Sequence, residues 1–234
     1  LNGLLRPLPH PPADISWAWA LERSTTAPLK TATLTDLRAP PQRPPREDEL
    51  WLLFATPAVD DATPCLDFLS EDARARAARF HCAHGTLPRM LGRTAASLRR
   101  TGGAKGKPQL AAEHRAVQFN LSHTSGAIAI AFSGAAVGLD MELRRERPNL
   151  LAMAGLAFAP EACAALEDCA DETGRVALFH RFWTLGEAYI KATGQGVSQG
   201  LKSFVFTSTG APALTRASPA WGPPERWRFD CGPR

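Results

Sequence analysis

Long apolar runs are what this 234-residue chain most plainly lacks. Its best stretch, Ala127 to Val137, falls far short of the roughly 20 residues that cross a bilayer, which excludes a membrane-spanning helix there. No apolar leader is legible either, because prolines 7, 9, 11 and 12 interrupt the first twenty residues, so a secretory signal is not expected. Cysteine is scarce and odd in number (65, 82, 163, 169 and 231), which fits no disulfide framework. His81-Cys82-Ala83-His84 has ligand chemistry, but no second pair stands at zinc spacing. Thiols in a reducing cytoplasm are the expectation.

Net charge is also small: 27 basic residues against 23 acidic ones give +4. Its distribution is uneven. Between Glu71 and Lys107 stand Arg74, Arg76, Arg79, Arg89, Arg93, Arg99, Arg100, Lys105 and Lys107 against two acids, a local +7. Such a segment attracts phosphate groups, nucleic acid or an acidic protein partner, or is simply a solvated helical face. Hydrophobic content of 44% with 21% charged residues excludes wholesale disorder.

Residues 1–46 hold nine of the twenty prolines, including Pro40-Pro41 and Pro44-Pro45, and read as a poorly ordered extension. The N-terminal half of an ordered domain then runs over 47–118 and a C-terminal half over 119–234. Leu50 to Phe54 suits a buried strand. Ser70-Glu71-Asp72 opens a helix with a capping hydroxyl and early acids, and a second helix covers about Leu87 to Arg100. Val117–Leu121, Ala127–Phe132 and Ala135–Glu142 read as strands, with Ser133-Gly134 as a hairpin turn between the last two. Pro160–Cys169 and Val176–Thr193 read as helices, Gly194 closing the second. Strand signals return at Lys202–Thr207 and Trp227–Phe229. The fold class is α+β, with an element order that suggests two similar halves.

Four short motifs carry chemistry. In Gly138-Leu139-Asp140-Met141-Glu142, strand periodicity sets Asp140 and Glu142 on one face, a few ångströms apart. Adjacent carboxylates repel unless they share a cation or a proton, and an oxygen-rich pair suits Mg²⁺; by itself the pair also reads as a solvent-facing strand end. Phe182 to Lys191 forms a helix in which Glu187 and Lys191, at i and i+4, make either an ordinary ion pair or a third carboxylate beside a phosphate-binding cation. Ser122-His123 ends a strand where a phosphate could be held or a turn capped. Lys105 and Lys107 flank Gly106 ahead of Pro108, a basic loop.

In this order, the basic Gly-Lys-Pro loop, Phe-Asn-x-Ser-His, Gly-x-Asp-x-Glu and Phe-Trp-x-x-x-Glu-Ala-x-x-Lys-x-x-Gly-x-Gly, the motifs resemble the 4′-phosphopantetheinyl transferases. Length and spacing resemble the larger type, a pseudo-dimer within one chain that activates surfactin-like peptide synthetases. The resemblance covers about residues 49–230. It implies two α+β halves related by a pseudo-twofold axis, with coenzyme A in the cleft between them. It implies that Asp140, Glu142 and Glu187 are magnesium ligands, that Glu187 is the base for a serine hydroxyl, and that Lys191 neutralises the transferring phosphate. Asp140, Glu187 and Lys191 are then the catalytic set. Lys107, Ser122, His123, Lys191 and Arg76 would contact coenzyme A. The implied partner is an acidic apo acyl or peptidyl carrier protein of fatty-acid, polyketide or nonribosomal-peptide biosynthesis. The implied enzyme is a cytoplasmic monomer that binds neither nucleic acid nor membrane.

Three departures bear on activity. Gly186 stands where the family carries a lysine that meets coenzyme A phosphate, so the resemblance implies a weakened site. Pro88 falls where a basic helix residue is usual, and the chain stops at Arg234 where the family adds a strand. Asp140, as a cleft carboxylate, is expected to contribute little to the core. Two rival readings use the same residues: a different magnesium-dependent phosphoryl-transfer enzyme, and a degenerate homologue that binds coenzyme A or carrier protein without transfer.

Overall fold

A computed structural model describes residues 5–36, 41–57, 100–102, 108–111, 114, 116–124 and 126–232. The helices expected after Ser70 and at Leu87–Arg100, with Arg74, Arg76, Arg79, Pro88, Lys105 and Lys107, lie outside the described residues except for Arg100, which begins a strand, and with them lies the comparison of two halves.

The described residues form an α+β fold in three layers. One sheet runs β1 (Leu5–Leu8), β4 (Glu49–Pro57), β8 (Ala127–Ser133), β7 (Gln118–Thr124), all neighbours antiparallel, with β3 (Lys30–Thr33) parallel to β4. A second sheet runs β12 (Trp227–Gly232), β2 (Ile15–Glu22), β9 (Val137–Leu143). Two small ladders, β5 (Arg100–Gly102) with β6 (Pro108–Leu110) and β10 (Val205–Phe206) with β11 (Leu214–Arg216), complete the strands described.

Side-chain alternation explains the layering. In β8 the large residues Ile128, Ile130 and Phe132 face one core with Trp51, Leu53 and Phe119. Its alanines 127, 129 and 131 face the second sheet, where Ile15, Trp19, Leu21, Val137, Leu139 and Met141 fill the gap. The opposite face of that second sheet is built from small residues, Ala18, Ala20 and Gly138, and a long helix lies on it.

That helix, α3 (Glu172–Thr193), follows α1 (Leu150–Ala157) and α2 (Pro160–Glu167). Asp171 caps its start by accepting from the Gly174 amide at 2.7 Å, and Gly194, at φ 72°, ends it in the left-handed conformation. Phe179 and Trp183 stack at 5.9 Å and both meet Phe158. Tyr189 sits among Phe204, Phe206, Trp227 and Phe229. These aromatic motif residues anchor the helix.

Two expectations are corrected. The proline-rich stretch is no extension: Ile15–Glu22 is the middle strand of the second sheet, and Ala18 and Ala20 are fully buried. The prolines bracket that strand without entering it. Nor does Ser133-Gly134 close a hairpin. β8 pairs back with β7, whereas β9 crosses to the other sheet and pairs with β2. The Gly134 amide instead donates to the Arg46 carbonyl at 3.1 Å, and a β-carbon there would stand 2.7 Å from that backbone. Among the described residues no helix is long and apolar enough to cross a membrane.

One buried charge ties the reassigned segment to β4. Glu49 accepts from Arg43 at 2.7 and 2.8 Å and from the Arg46 amide at 3.0 Å. Chiefly through the Arg43 bonds, its carboxyl is held down at about 2. A depressed carboxylate adds stability above its ordinary range and loses it as pH falls. Glu49→Gln is therefore expected to cost about 1–2 kcal/mol at pH 7, Arg43 being half-exposed. In denaturant titrations the gap to the parent chain should close between about pH 4.5 and pH 2. A gap independent of pH would show that the charge is not what matters.

Candidate active site

Glycine 138 decides where the chemistry can happen. A β-carbon there would stand 2.5 Å from the Ala192 nitrogen and closer still to the Ala188 carbonyl oxygen. Only glycine lets α3 lie this close on β9. The next two residues on that face of β9 are Asp140 and Glu142, and the helix brings Glu187 and Lys191 down beside them.

Lys191 Nζ donates to Asp140 Oδ1 at 2.6 Å, to the Leu139 carbonyl at 3.2 Å and to Ser122 Oγ at 3.4 Å. Through Asp140, Lys191 joins helix to strand, beyond the helical i,i+4 pairing with Glu187 that the sequence offers. Asp140 is 4% exposed, so it is a buried charge and no rim carboxylate. Its Oδ1 is engaged by Lys191 and Ser122, while Oδ2 is buried and without a hydrogen-bond partner. Such an orphaned acceptor costs free energy unless a ligand supplies the missing partner.

The other two carboxyls are shifted, chiefly by burial. Burial pushes the Glu187 carboxyl up, with the Asp140 charge adding and Lys191 opposing. Glu142 is pushed up in the same way, first by burial and then by Asp140, against Arg147 and Lys191. Three acidic groups around one ammonium suit an added hard cation held by oxygen. As they stand, they are not one coordination sphere: among the described residues no group of three His, Cys, Asp or Glu side chains is gathered closely enough to hold a metal.

The remaining site residues separate. Ser122 Oγ donates to Asp140 and accepts from the Met141 amide at 3.1 Å. Strand alternation turns His123 to the face that Phe119 and Leu121 share, so the two do not converge on one phosphate. Lys107 and Arg76 lie outside the described residues.

Gly186 is corrected too. It is buried on the side of α3 that packs toward residues 201–204; a β-carbon would overlap Leu201 Cδ2 and lie 3.2 Å from the Phe204 ring. A lysine has no direct path to the Asp140 face from there. Gly186→Lys is expected to lower stability by about 1–2 kcal/mol, overpacking outweighing the gain in helix propensity. Thermal melts check this. A higher melting point with tighter coenzyme A binding would restore the view of Gly186 as a lost contact.

Comparison with known proteins points to the same part of the chain. Residues 136–230, which hold β9, the three α-helices described above and the Asp140–Lys191 pair, match the sequence profile of the 4′-phosphopantetheinyl transferase superfamily. Over that C-terminal segment the chain is similar to the superfamily. It is 33% identical to a Synechocystis protein named as a 4′-phosphopantetheinyl transferase, over 63% of this chain and 59% of that one. It is 31% identical to the 4′-phosphopantetheinyl transferase HetI of Nostoc, over 50% of this chain and 51% of HetI. It is 38% identical to the transferase psf-1 of Bacillus pumilus, over 37% and 36% respectively. The chain thus spans about half the length of the curated relatives it matches. Absent from the motif-based reading were Gly138's contact with α3 and the hub role of Ser122. The first had a signal, the glycine that opens Gly-x-Asp-x-Glu; the second had none.

Proposed function

We propose that this chain is a member of that superfamily and moves the 4′-phosphopantetheine group of coenzyme A onto a serine of an apo acyl or peptidyl carrier protein. The observation that carries the reading is the unpaired Asp140 Oδ2, with the Glu142 and Glu187 carboxyls around it and Lys191 locked to its other oxygen. It is joined by what the relatives' names say of them. The cleft would lie between two similar halves of a pseudo-dimeric chain.

In the proposed reaction the serine oxygen bonds to the β-phosphorus of coenzyme A. The bond from that phosphorus to the bridging pyrophosphate oxygen breaks, and 3′,5′-ADP leaves. Glu187 takes the serine proton, a task that the upward push on its carboxyl favours. Lys191 lies within reach of the charge that builds on the phosphoryl oxygens. Magnesium would be held by Asp140, Glu142 and Glu187, and when bound would supply charge neutralisation for the pyrophosphate. His123, Lys107 and Arg76 remain the candidates for the other coenzyme A phosphates.

A surface for the carrier is offered beside the site. Helix α1 carries no charged side chain, leaves Leu156 82% exposed and Leu151 42%, and follows exposed Arg145 and Arg147. An apolar knob preceded by two exposed arginines, with Glu146 between them, suits an acidic partner. The test is incubation with coenzyme A, Mg²⁺ and a panel of apo carriers, read by intact mass. A gain of one phosphopantetheine on a single serine is expected, and Leu156→Asp should raise KM for the carrier about tenfold with KM for coenzyme A unchanged. No gain on carriers that another transferase modifies would overturn the reading.

A further inference from the structure

Strand β9 has two edges. One pairs with β2 through its backbone. On the other, the amides of Leu139, Met141 and Leu143 donate to side chains of β7: to Asn120 Oδ1 at 2.9 Å, Ser122 Oγ at 3.1 Å and Thr124 Oγ1 at 3.2 Å. Every second residue of β7 meets every second residue of β9. Three side chains thereby replace the backbone ladder that these two strands do not form.

The middle rung is different from its neighbours. Ser122 is 5% exposed, and its hydroxyl donates to Asp140 Oδ1 while accepting from the Met141 amide and, at 3.4 Å, from Lys191. A hydroxyl has one donor and two acceptor sites, so all three are used. A phosphate could bond it only by displacing Asp140, Met141 or Lys191. Such a hub fixes the rotation of the Asp140 carboxylate, because Oδ1 is held from two sides and Oδ2 is left for something else.

We infer that Ser122 is a positioning residue that sets the Asp140 carboxylate and the Lys191 ammonium in place, and that it makes no contact with coenzyme A. The inference rests on the proposed transfer reaction for its kinetic consequences, though not for its geometry.

The experiment compares Ser122→Ala and Ser122→Thr with the parent chain. In Ser122→Ala the Met141 amide should exchange with deuterium about tenfold faster or more, with Leu139 exchange unchanged. Coenzyme A affinity by calorimetry should stay within about twofold and kcat should fall about ten- to hundredfold. Ser122→Thr keeps the hydroxyl and should return kcat to within about threefold of the parent. A ligand contact predicts the reverse: coenzyme A affinity about tenfold weaker in Ser122→Ala, with the Met141 amide still protected. That result, or equal kcat in the parent and Ser122→Ala, overturns the inference. If the parent chain transfers nothing, the transfer reading falls, while amide exchange and coenzyme A affinity still decide the place of Ser122. If Ser122→Ala does not fold, Ser122→Thr decides: unchanged coenzyme A affinity with Met141 still protected supports the inference, and affinity loss overturns it.

Discussion

Gly138→Ala is expected to give a chain that either fails to accumulate folded or melts far below its parent. The added methyl would collide with the Ala188 carbonyl and the Ala192 nitrogen, both backbone atoms inside a 22-residue helix. Side chains could turn away; a hydrogen-bonded backbone cannot. Relief requires α3 to rise by about 1 Å from a face lined by Ala18 and Ala20, which loosens contacts along the helix. The expected cost is about 3–5 kcal/mol, at the upper end for a single substitution and a large part of a typical total stability. Any folded fraction should have lost transfer about a hundredfold, since Glu187 and Lys191 move with the helix. Gly155→Ala is the control. It lies in α1 with nothing within 4 Å of the added carbon, so it should stabilise by up to about 1 kcal/mol. The measurement is denaturant unfolding of the three chains. A Gly138→Ala protein as stable as its parent would show that α3 does not lie on β9 as described.

The residues that misled and those that informed differ in a physical way. Leu50–Phe54 and Ala127–Phe132 were legible because a strand buried on both faces needs apolar side chains throughout. Ile15–Glu22 alternates just as cleanly, with isoleucine, tryptophan and leucine on one face and serine and alanine on the other. Its signal was drowned by the proline count of a wider window, although prolines 9, 11 and 12 only lead into the strand. Asp140 with Glu142, and Glu187 with Lys191, were legible as two pairs from strand and helix periods; that the pairs share one site was implied only by the resemblance of the motifs. That Lys191 would reach across to Asp140 was not legible, since the choice of partner depends on how closely the helix packs. The burial of Gly186 and the hub at Ser122 belong to the same class. Both arise from contacts between residues about 15 to 69 positions apart, which no local pattern records.

Asp140→Asn should abolish transfer with little loss of fold, whereas Asp140→Ala should damage both. In the parent chain Asp140 Oδ1 accepts from Lys191 and Ser122, and asparagine can keep an oxygen in that place. Alanine removes it and leaves the Lys191 ammonium, whose side chain is 29% exposed, beside a buried hydroxyl and a carbonyl. Stranding one partner of a fully buried pair costs about 3–5 kcal/mol; this pair reaches water on the lysine side, so about 1–3 kcal/mol is expected. The earlier expectation of a fold indifferent to this carboxylate therefore holds for asparagine only. Activity depends on the other oxygen. With Oδ2 replaced by an amide, the site loses a negative charge and its unpaired acceptor, and turnover should fall by about a thousandfold. Added Mg²⁺ supplies an independent reading: at a hundred times its dissociation constant it should stabilise the parent by about 2.7 kcal/mol, or roughly 5–10 °C, and leave Asp140→Asn unmoved. Wild-type turnover in Asp140→Asn would remove this carboxylate from the mechanism. An equal thermal shift by Mg²⁺ in both chains would place the cation elsewhere.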